Sequence, residues 1–142
     1  MSTQDFTKTI VTGKAAGEVF GIIKNVRGWW SGLYAEEITG DSERIGDEFS
    51  FSAGGGMHYS RQRLVELEPD KKIVWVVTDS NLTFLKKTDE WLNTKISFEI
   101  TKDGDKTLLT FTHIGLVPKI ECYGGCSSAW TQYLDNLAEQ LK

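Results

Sequence analysis

Proline is scarce in this chain, with two in 142 residues, and no low-complexity stretch or internal repeat is visible. Nothing therefore marks a linker, and the length suits one domain over residues 1–142 with one hydrophobic core. Cysteine is equally scarce. Cys122 and Cys126 alone do not make the bridged framework of a small secreted domain, and they fit a reducing compartment better. No run approaches the ~18 apolar residues of a membrane span, and the opening MSTQDFTKTIV lacks the basic start and apolar stretch of a signal peptide. A cytoplasmic location without membrane insertion is the expectation. Basic clusters are missing too. The net charge is −4, and Lys71-Lys72 and Lys86-Lys87 are isolated pairs, which excludes a non-specific nucleic-acid binder. The only histidines, His58 and His113, stand at positions unrelated to the CxxxC pair, so no zinc site is assembled and no cofactor is expected.

What the chain does have is an ordinary globular composition, 39% hydrophobic and 25% charged, with five tryptophans. Two of these, Trp29 and Trp30, are adjacent in NVRGWWSG. Neighbours in sequence do not share a helix face or a strand face. One ring can serve the core; the other is either a surface aromatic or the wall of a cavity, where an amphipathic ring serves well.

Residues 4–12 read as a strand ended by Gly13. Ala15, Val19, Phe20, Ile22 and Ile23 recur at helical spacing, so a helix is expected over 15–24, closed by Asn25 in a left-handed conformation. Val26 to Ser31 reads as a second short helix. Residues 35–41 are a weak strand. Stronger ones follow at 46–53, where Phe49 and Phe51 alternate with polar residues, then at 57–68, 72–79, 93–102 and 106–114. The stretch 80–90 reads as a loop, and Asp103-Gly104-Asp105 as a hairpin turn. At the end of the chain Trp130, Tyr133, Leu134, Leu137 and Leu141 form one apolar helical stripe. That helix starts either near residue 119, behind Pro118, or after Gly125, because Gly124-Gly125 inside it would cost roughly 1 kcal/mol each against alanine.

Short strands joined by tight turns make a meandering antiparallel sheet, and the long helix covers its apolar face. The fold class is α+β. A curved sheet does not close around the whole length of one helix, so a cavity is expected, with its mouth near the short helices. The small run Gly124, Gly125, Ser127, Ser128 and Ala129 either lowers the helix wall to leave volume or forms a flexible loop.

The candidate wall takes Trp29, Trp30 and Trp130, the alternating rings Phe49, Phe51, Phe98 and Phe111, and, on weaker grounds, Tyr59 and Trp75. Trp91 is placed to cap the other end. His113 shares parity with Leu109 and Phe111 and points inward, either as a hydrogen-bonded core histidine or as a ligand-orienting group; His58 is expected to be solvated. Cys122 and Cys126, one helical turn apart, read as small buried thiols facing the cavity. Arg61 and Arg63 share parity with Met57, Tyr59, Val65 and Leu67. Without a bulge they face inward and could hold a ligand carboxylate; with one they reach solvent.

An ordered series of short motifs resembles a known group. Val19-Phe20 is followed by Val26 and Trp29-Trp30, then Gly46-Asp47-Glu48-Phe49, Val65-Glu66-Leu67 with Ile73-Val74-Trp75, Thr112-His113-Ile114-Gly115-Leu116, and Trp130 with Leu134 and Leu137. Over about residues 5–141 the chain is similar to the START-like (SRPBCC) superfamily, within the branch named for the activator of the heat-shock-protein-90 ATPase. The resemblance implies the helix-grip fold: a curved antiparallel sheet of six or seven strands wrapped on a long C-terminal helix, with two short helices after the first strand, the second at the cavity mouth. It implies a hydrophobic or amphipathic small molecule as ligand, or a chaperone or other protein as partner. Three functions are carried forward: ligand binding without catalysis, a co-chaperone-like interaction module, and a cyclase- or hydratase-like cavity enzyme, which lacks an evident acid–base pair here.

Overall fold

The computed structural model describes residues 5–83, 85–118 and 120–142. The elements run β1 (Phe6–Thr12), α1 (Ala16–Lys24), α2 (Val26–Trp29), β2 (Glu37–Gly40), β3 (Glu48–Ala53), a 3-10 turn (Gly54–Gly56), β4 (His58–Glu68), β5 (Lys72–Leu82), β6 (Lys95–Asp103), β7 (Lys106–Ile114) and α3 (Tyr123–Gln140). Gln4, the expected start of the first strand, and Lys119, the expected start of the last helix, lie outside the described residues.

The seven strands form one antiparallel sheet in the order β1-β7-β6-β5-β4-β3-β2. Its inner face follows the period-two patterns. Phe49 and Phe51 of β3, Ile96, Phe98 and Ile100 of β6, and Leu109 and Phe111 of β7 are all buried in one core. β4 and β5 depart from strict alternation. Their register shifts between Arg61 and Gln62 and again between Leu64 and Glu66. Each shift leaves one residue unpaired and bends the strand. Leu64 and Leu67 therefore both belong with the core, opposite Trp75 and Ile73, although one has even and the other odd parity.

The core closes when α3 lies in the bent sheet and buries Cys126, Trp130, Tyr133, Leu134 and Leu137, while α1 adds Val19, Phe20 and Ile23. Two expectations change. β5 continues through Ser80, Asn81 and Leu82 instead of breaking at Asp79, because Ser60 and His58 continue the ladder opposite Ser80 and Leu82. α3 starts at Tyr123, between the two expected positions, so Gly124 and Gly125 occupy its first turn. Glu90 receives that helix end from another loop, accepting the backbone N–H groups of Glu121 and Cys122 at 3.0 and 2.9 Å. A carboxylate there also answers the positive end of the helix dipole. Asn25 closes α1 at φ −85°, outside the left-handed region.

Both tryptophans of the adjacent pair point inward. α2 is a single turn ending on Trp30 as its C-cap, so the two rings leave the backbone where the chain is turning away. They stack at 5.8 Å with 11° between planes. Trp29 goes deep, edge-on to Phe98, and its Nε1–H donates to the Ile23 carbonyl at 2.9 Å. Trp30 stacks on Phe51 at 4.4 Å.

Candidate functional site

The helix and the sheet leave a cavity of about 260 Å³. Its wall comes from every layer: Trp30 from α2, Tyr34 from the loop after it, Phe51 and Ala53 from β3, Gly54 and Met57 from the following turn, His58 from β4, and Trp91 from the loop before β6. α3 contributes Gly125, Cys126, Ala129, Trp130 and Tyr133. Residues four apart on a helix lie one above another. Gly125, Ala129 and Tyr133 form one such row and Cys126 with Trp130 the next, so the first two turns of α3 present small side chains where the later turns present leucines. The void follows from that gradient of size along one helix face.

Most of the wall is aromatic. Trp91 lies parallel to Trp130 at 5.8 Å, Trp30 lies 4.9 Å from Trp130, and Tyr133 stands edge-on to Phe51 at 6.2 Å. The polar atoms nearby are mostly committed to the protein itself. The Tyr133 hydroxyl donates to Glu36 at 2.5 Å, and the Tyr34 hydroxyl donates to Gln132 Oε1 at 2.7 Å. The Glu36 carboxylate also accepts the backbone N–H groups of Gly32, Leu33 and Tyr34. Partial burial raises the Glu36 pKa, but the bonds from Tyr133 and from the backbone outweigh it, and the net lies below the ordinary glutamate value. Burial first, and then the Glu36 bond and charge, push the Tyr133 phenol well above its usual range. Glu36 thus ties the loop that carries Tyr34 to α3. Glu36→Ala is expected to cost about 1–2 kcal/mol of stability and to speed amide exchange at Gly32, Leu33 and Tyr34, measured by hydrogen exchange; unchanged exchange there would show that the loop is held by other contacts.

His113 lies behind the wall, not in it. Its Nδ1 accepts the Trp130 Nε1–H at 3.0 Å. A nitrogen that accepts carries no proton, so the ring proton is assigned to Nε2, which donates to Thr94 Oγ1 at 2.8 Å. The Thr94 hydroxyl donates in turn to the Trp91 carbonyl at 2.6 Å. One chain of bonds therefore joins α3, β7 and the loop carrying Trp91. Gly115 keeps it in place: at φ +104° a Cβ there would lie 2.7 Å from Thr94 Cγ2. Complete burial, with the nearby His58 as a lesser cause, holds the His113 pKa down to about 3. His58, half-buried with its ring 4.6 Å from Trp91, is held down to about 4 by burial. Both rings are neutral at pH 7.

Of the residues singled out in the sequence, the structure brings Trp30, Phe51, Gly125, Cys126, Ala129 and Trp130 to the cavity wall, and Trp91, expected to cap the other end, lines the same wall. Trp29, Phe49, Trp75, Phe98, Phe111, His113 and Cys122 are buried around it without lining it. Trp75 donates its Nε1–H to Ser42 Oγ at 2.8 Å. Arg61 and Arg63 face away from the cavity. The bulge at Val65 switches the inward parity of β4, so that His58, Ser60, Gln62 and Leu64 before it lie on the inner side and the arginines on the outer side, each about half exposed, where they pair with Glu48 at 2.7 and 3.0 Å. Tyr59, with the same parity, is also outside the wall. Cys122 and Cys126 are not free thiols but a disulfide, their Cα atoms 5.4 Å apart, inside the span such a bridge takes. His58 is a wall residue and not a solvated one.

Tyr34, Ala53, Gly54, Met57, His58 and Tyr133 are wall residues that sequence reasoning did not select. Tyr133 could have been found from its spacing to Gly125 and Ala129. Tyr34 could not, because its loop is placed by contacts to Glu36, to Gln132 and to the Gly54 N–H that no local pattern announces. Among the described residues no group of three or more His, Cys, Asp or Glu could hold a metal ion, and no helix is long and apolar enough to cross a membrane.

The family described as "Activator of Hsp90 ATPase homolog 1-like protein" matches residues 23–142. No curated protein sequence matches the chain. Among solved structures, the Aha1 dimer of Colwellia psychrerythraea is similar at 19% identity and a TM-score of 0.75, over 98% of this chain and 96% of that one. An HSP90 activator from Plasmodium falciparum is similar at 18% identity and 0.60, over 96% and 95%. The CalU16 protein of Micromonospora echinospora is similar at 16% identity and 0.65, over 96% and 74%. At these identities the likeness is one of fold.

Proposed function

Because the chain belongs to the Activator of Hsp90 ATPase homolog 1-like family, whose shared fold leaves the specific task open, we propose from its own cavity that it is a small-molecule binding protein. The ligand is a compact apolar or amphipathic molecule held between the sheet and α3, and no chemistry is done on it. The carrying observation is the unfilled volume of about 260 Å³ bounded by the rings of Trp30, Tyr34, Phe51, Trp91, Trp130 and Tyr133. Such a wall supplies affinity through apolar burial and ring stacking. Acid–base catalysis has little to work with there: His58 is a weak base, and the hydroxyls of Tyr34 and Tyr133 are already spent on Gln132 and Glu36. The domain is proposed to work as a single unit; the Cys122–Cys126 disulfide withdraws the argument from free thiols for a reducing compartment.

Ala129→Phe tests this. A ring at that position grows into the void from a row that is otherwise glycine and tyrosine. The variant should keep or raise the melting temperature and abolish saturable binding of naphthalene, followed by NMR shifts of the indole N–H signals. Absence of any saturable shift in the natural protein, together with no small molecule retained in native mass spectrometry, would remove the reading.

A second reading, an interaction module for a chaperone or another protein, is favoured by the apolar residues Leu33, Tyr34 and Met57, which are 42%, 42% and 53% exposed. Tyr34 and Met57 also belong to the cavity wall. It predicts that Leu33→Glu, at an exposed residue outside the wall, weakens partner capture while leaving naphthalene binding intact.

A further inference from the structure

The disulfide between Cys122 and Cys126 takes no part in the function proposed above, and its place in the fold is informative. A bridge between distant segments constrains the whole unfolded chain, and the constraint shrinks with the loop that the bridge closes. This bridge joins residues only four apart in sequence. The helix already holds the same two residues together, since the Cys126 N–H donates to the Cys122 carbonyl at 2.7 Å. The effect of the bridge is therefore local and falls on the first turn of α3.

That turn is poorly supported by its own sequence. Cys122 is the N-cap, and its side chain makes no capping hydrogen bond. The first turn holds no acidic residue to meet the helix dipole, and Gly124 and Gly125 each weaken a helix against alanine. Apart from the bridge, Glu90 holds the start of the helix from outside, through the N–H groups of Glu121 and Cys122. The same turn is also cavity wall: Gly125 and Cys126 line the void, with Ala129 one turn further on. Two separate thiols take more room than a bonded pair in a packed interior, and the open space beside Cys126 is the cavity itself.

We infer that the Cys122–Cys126 bridge is a redox control on the cavity: closed, it fixes the first turn of α3 as wall; opened by a dithiol, it lets that turn fray and weakens ligand binding. The effect on the ligand rests on the small-molecule reading above, whereas the loosening of the turn stands without it. Cys122 and Cys126 are 1% and 3% exposed, so attack on the bridge follows a local opening of the turn. One dithiol balances the exchange. Its thiolate attacks one bridge sulfur to form a mixed disulfide, and the other sulfur leaves and takes a proton. The second thiol of the reductant then displaces the first protein sulfur, which is protonated in turn. Two protein thiols remain, and the dithiol is oxidised to a cyclic disulfide.

Dithiothreitol is the probe. The air-oxidised protein should show no titratable thiol, and millimolar dithiothreitol should release both while the sheet stays folded. The reduced protein should bind naphthalene about five- to tenfold more weakly, the effect of leaving roughly one backbone residue to be ordered on binding. Its amides at Gly124, Gly125 and Cys126 should exchange faster, while those of Phe98 and Phe111 keep their rates. The double variant Cys122→Ser with Cys126→Ser should bind like the reduced protein and ignore dithiothreitol; if it does not fold, the natural protein in its two states decides. Free thiols in the air-oxidised protein, a bridge that resists dithiothreitol in the folded protein, equal measurable affinity in both states, or unchanged exchange at the three amides would each overturn the inference. If neither state binds naphthalene, the small-molecule reading falls, and faster exchange on reduction still upholds the redox-loosened turn.

Discussion

Trp130→Ala should lower the stability of this protein by about 3–5 kcal/mol, the range for deleting a large aromatic ring from a packed core. Trp130 is the ring on which the others converge. It is 1% exposed, lies 4.9 Å from Trp30 and 4.7 Å from Phe111, and is covered in parallel by Trp91. Its loss also strands the Nδ1 of His113, a fully buried acceptor. Trp130→Phe keeps most of the ring contacts and loses only the N–H, so it should cost roughly 1–3 kcal/mol. Against a total of about 5–15 kcal/mol for a domain of this size, the alanine change brings the protein near the edge of folding. Guanidinium denaturation checks both, with the midpoint shifting and the slope unchanged. An alanine variant within 1 kcal/mol of the parent would show that the rings do not depend on this one.

Acid should unfold the protein earlier than its carboxylates alone would. Unfolded, His58 and His113 take up a proton near 6.5; folded, they resist it down to about 4 and about 3. Between those limits the unfolded chain holds more protons than the native one, so stability is complete above pH 6.5 and is lost as the pH falls. Each ring contributes at most about 1.4 kcal/mol per pH unit, so the slope approaches roughly 2.7 kcal/mol per unit between pH 6 and 4. His113 carries the larger share, because its ring is wholly enclosed while that of His58 borders the cavity. Glu36 adds to the loss at the acid end, where the carboxylate that its donors favour is protonated. Urea denaturation at pH 7, 6 and 5 reads the slope directly, and His58→Phe should reduce it. A flat profile from pH 7 to 5 would mean that one or both rings reach solvent.

The architecture was legible because its signals are local. Phe49 and Phe51, or Ile96, Phe98 and Ile100, announce their strands by alternation, and Trp130 to Leu141 announce the helix by its stripe. The cavity was legible in outline for the same reason, since Gly125 and Ala129 lie on the face that Tyr133 and Trp130 share with the core. What escaped depended on contacts between distant segments. The bulges of β4 and β5 leave no mark in the pattern of side chains, so Arg61 and Arg63 carried the same parity as their apolar neighbours and their direction stayed open. Tyr34 and Trp91 sit in loops whose paths are set by Glu36 and Glu90, each reaching backbone groups elsewhere in the chain or in the next turn. His113 showed its inward direction but not its occupation, because the indole and hydroxyl it joins are 17 and 19 residues away.

The crowding of Trp29, Trp30, Trp91 and Trp130, with two nearly parallel pairs at 5.8 Å, has an optical side. Indoles this close exchange excitation faster than they emit, so light absorbed by any one of the four is shared among them. Emission then reports the group and loses its memory of polarisation.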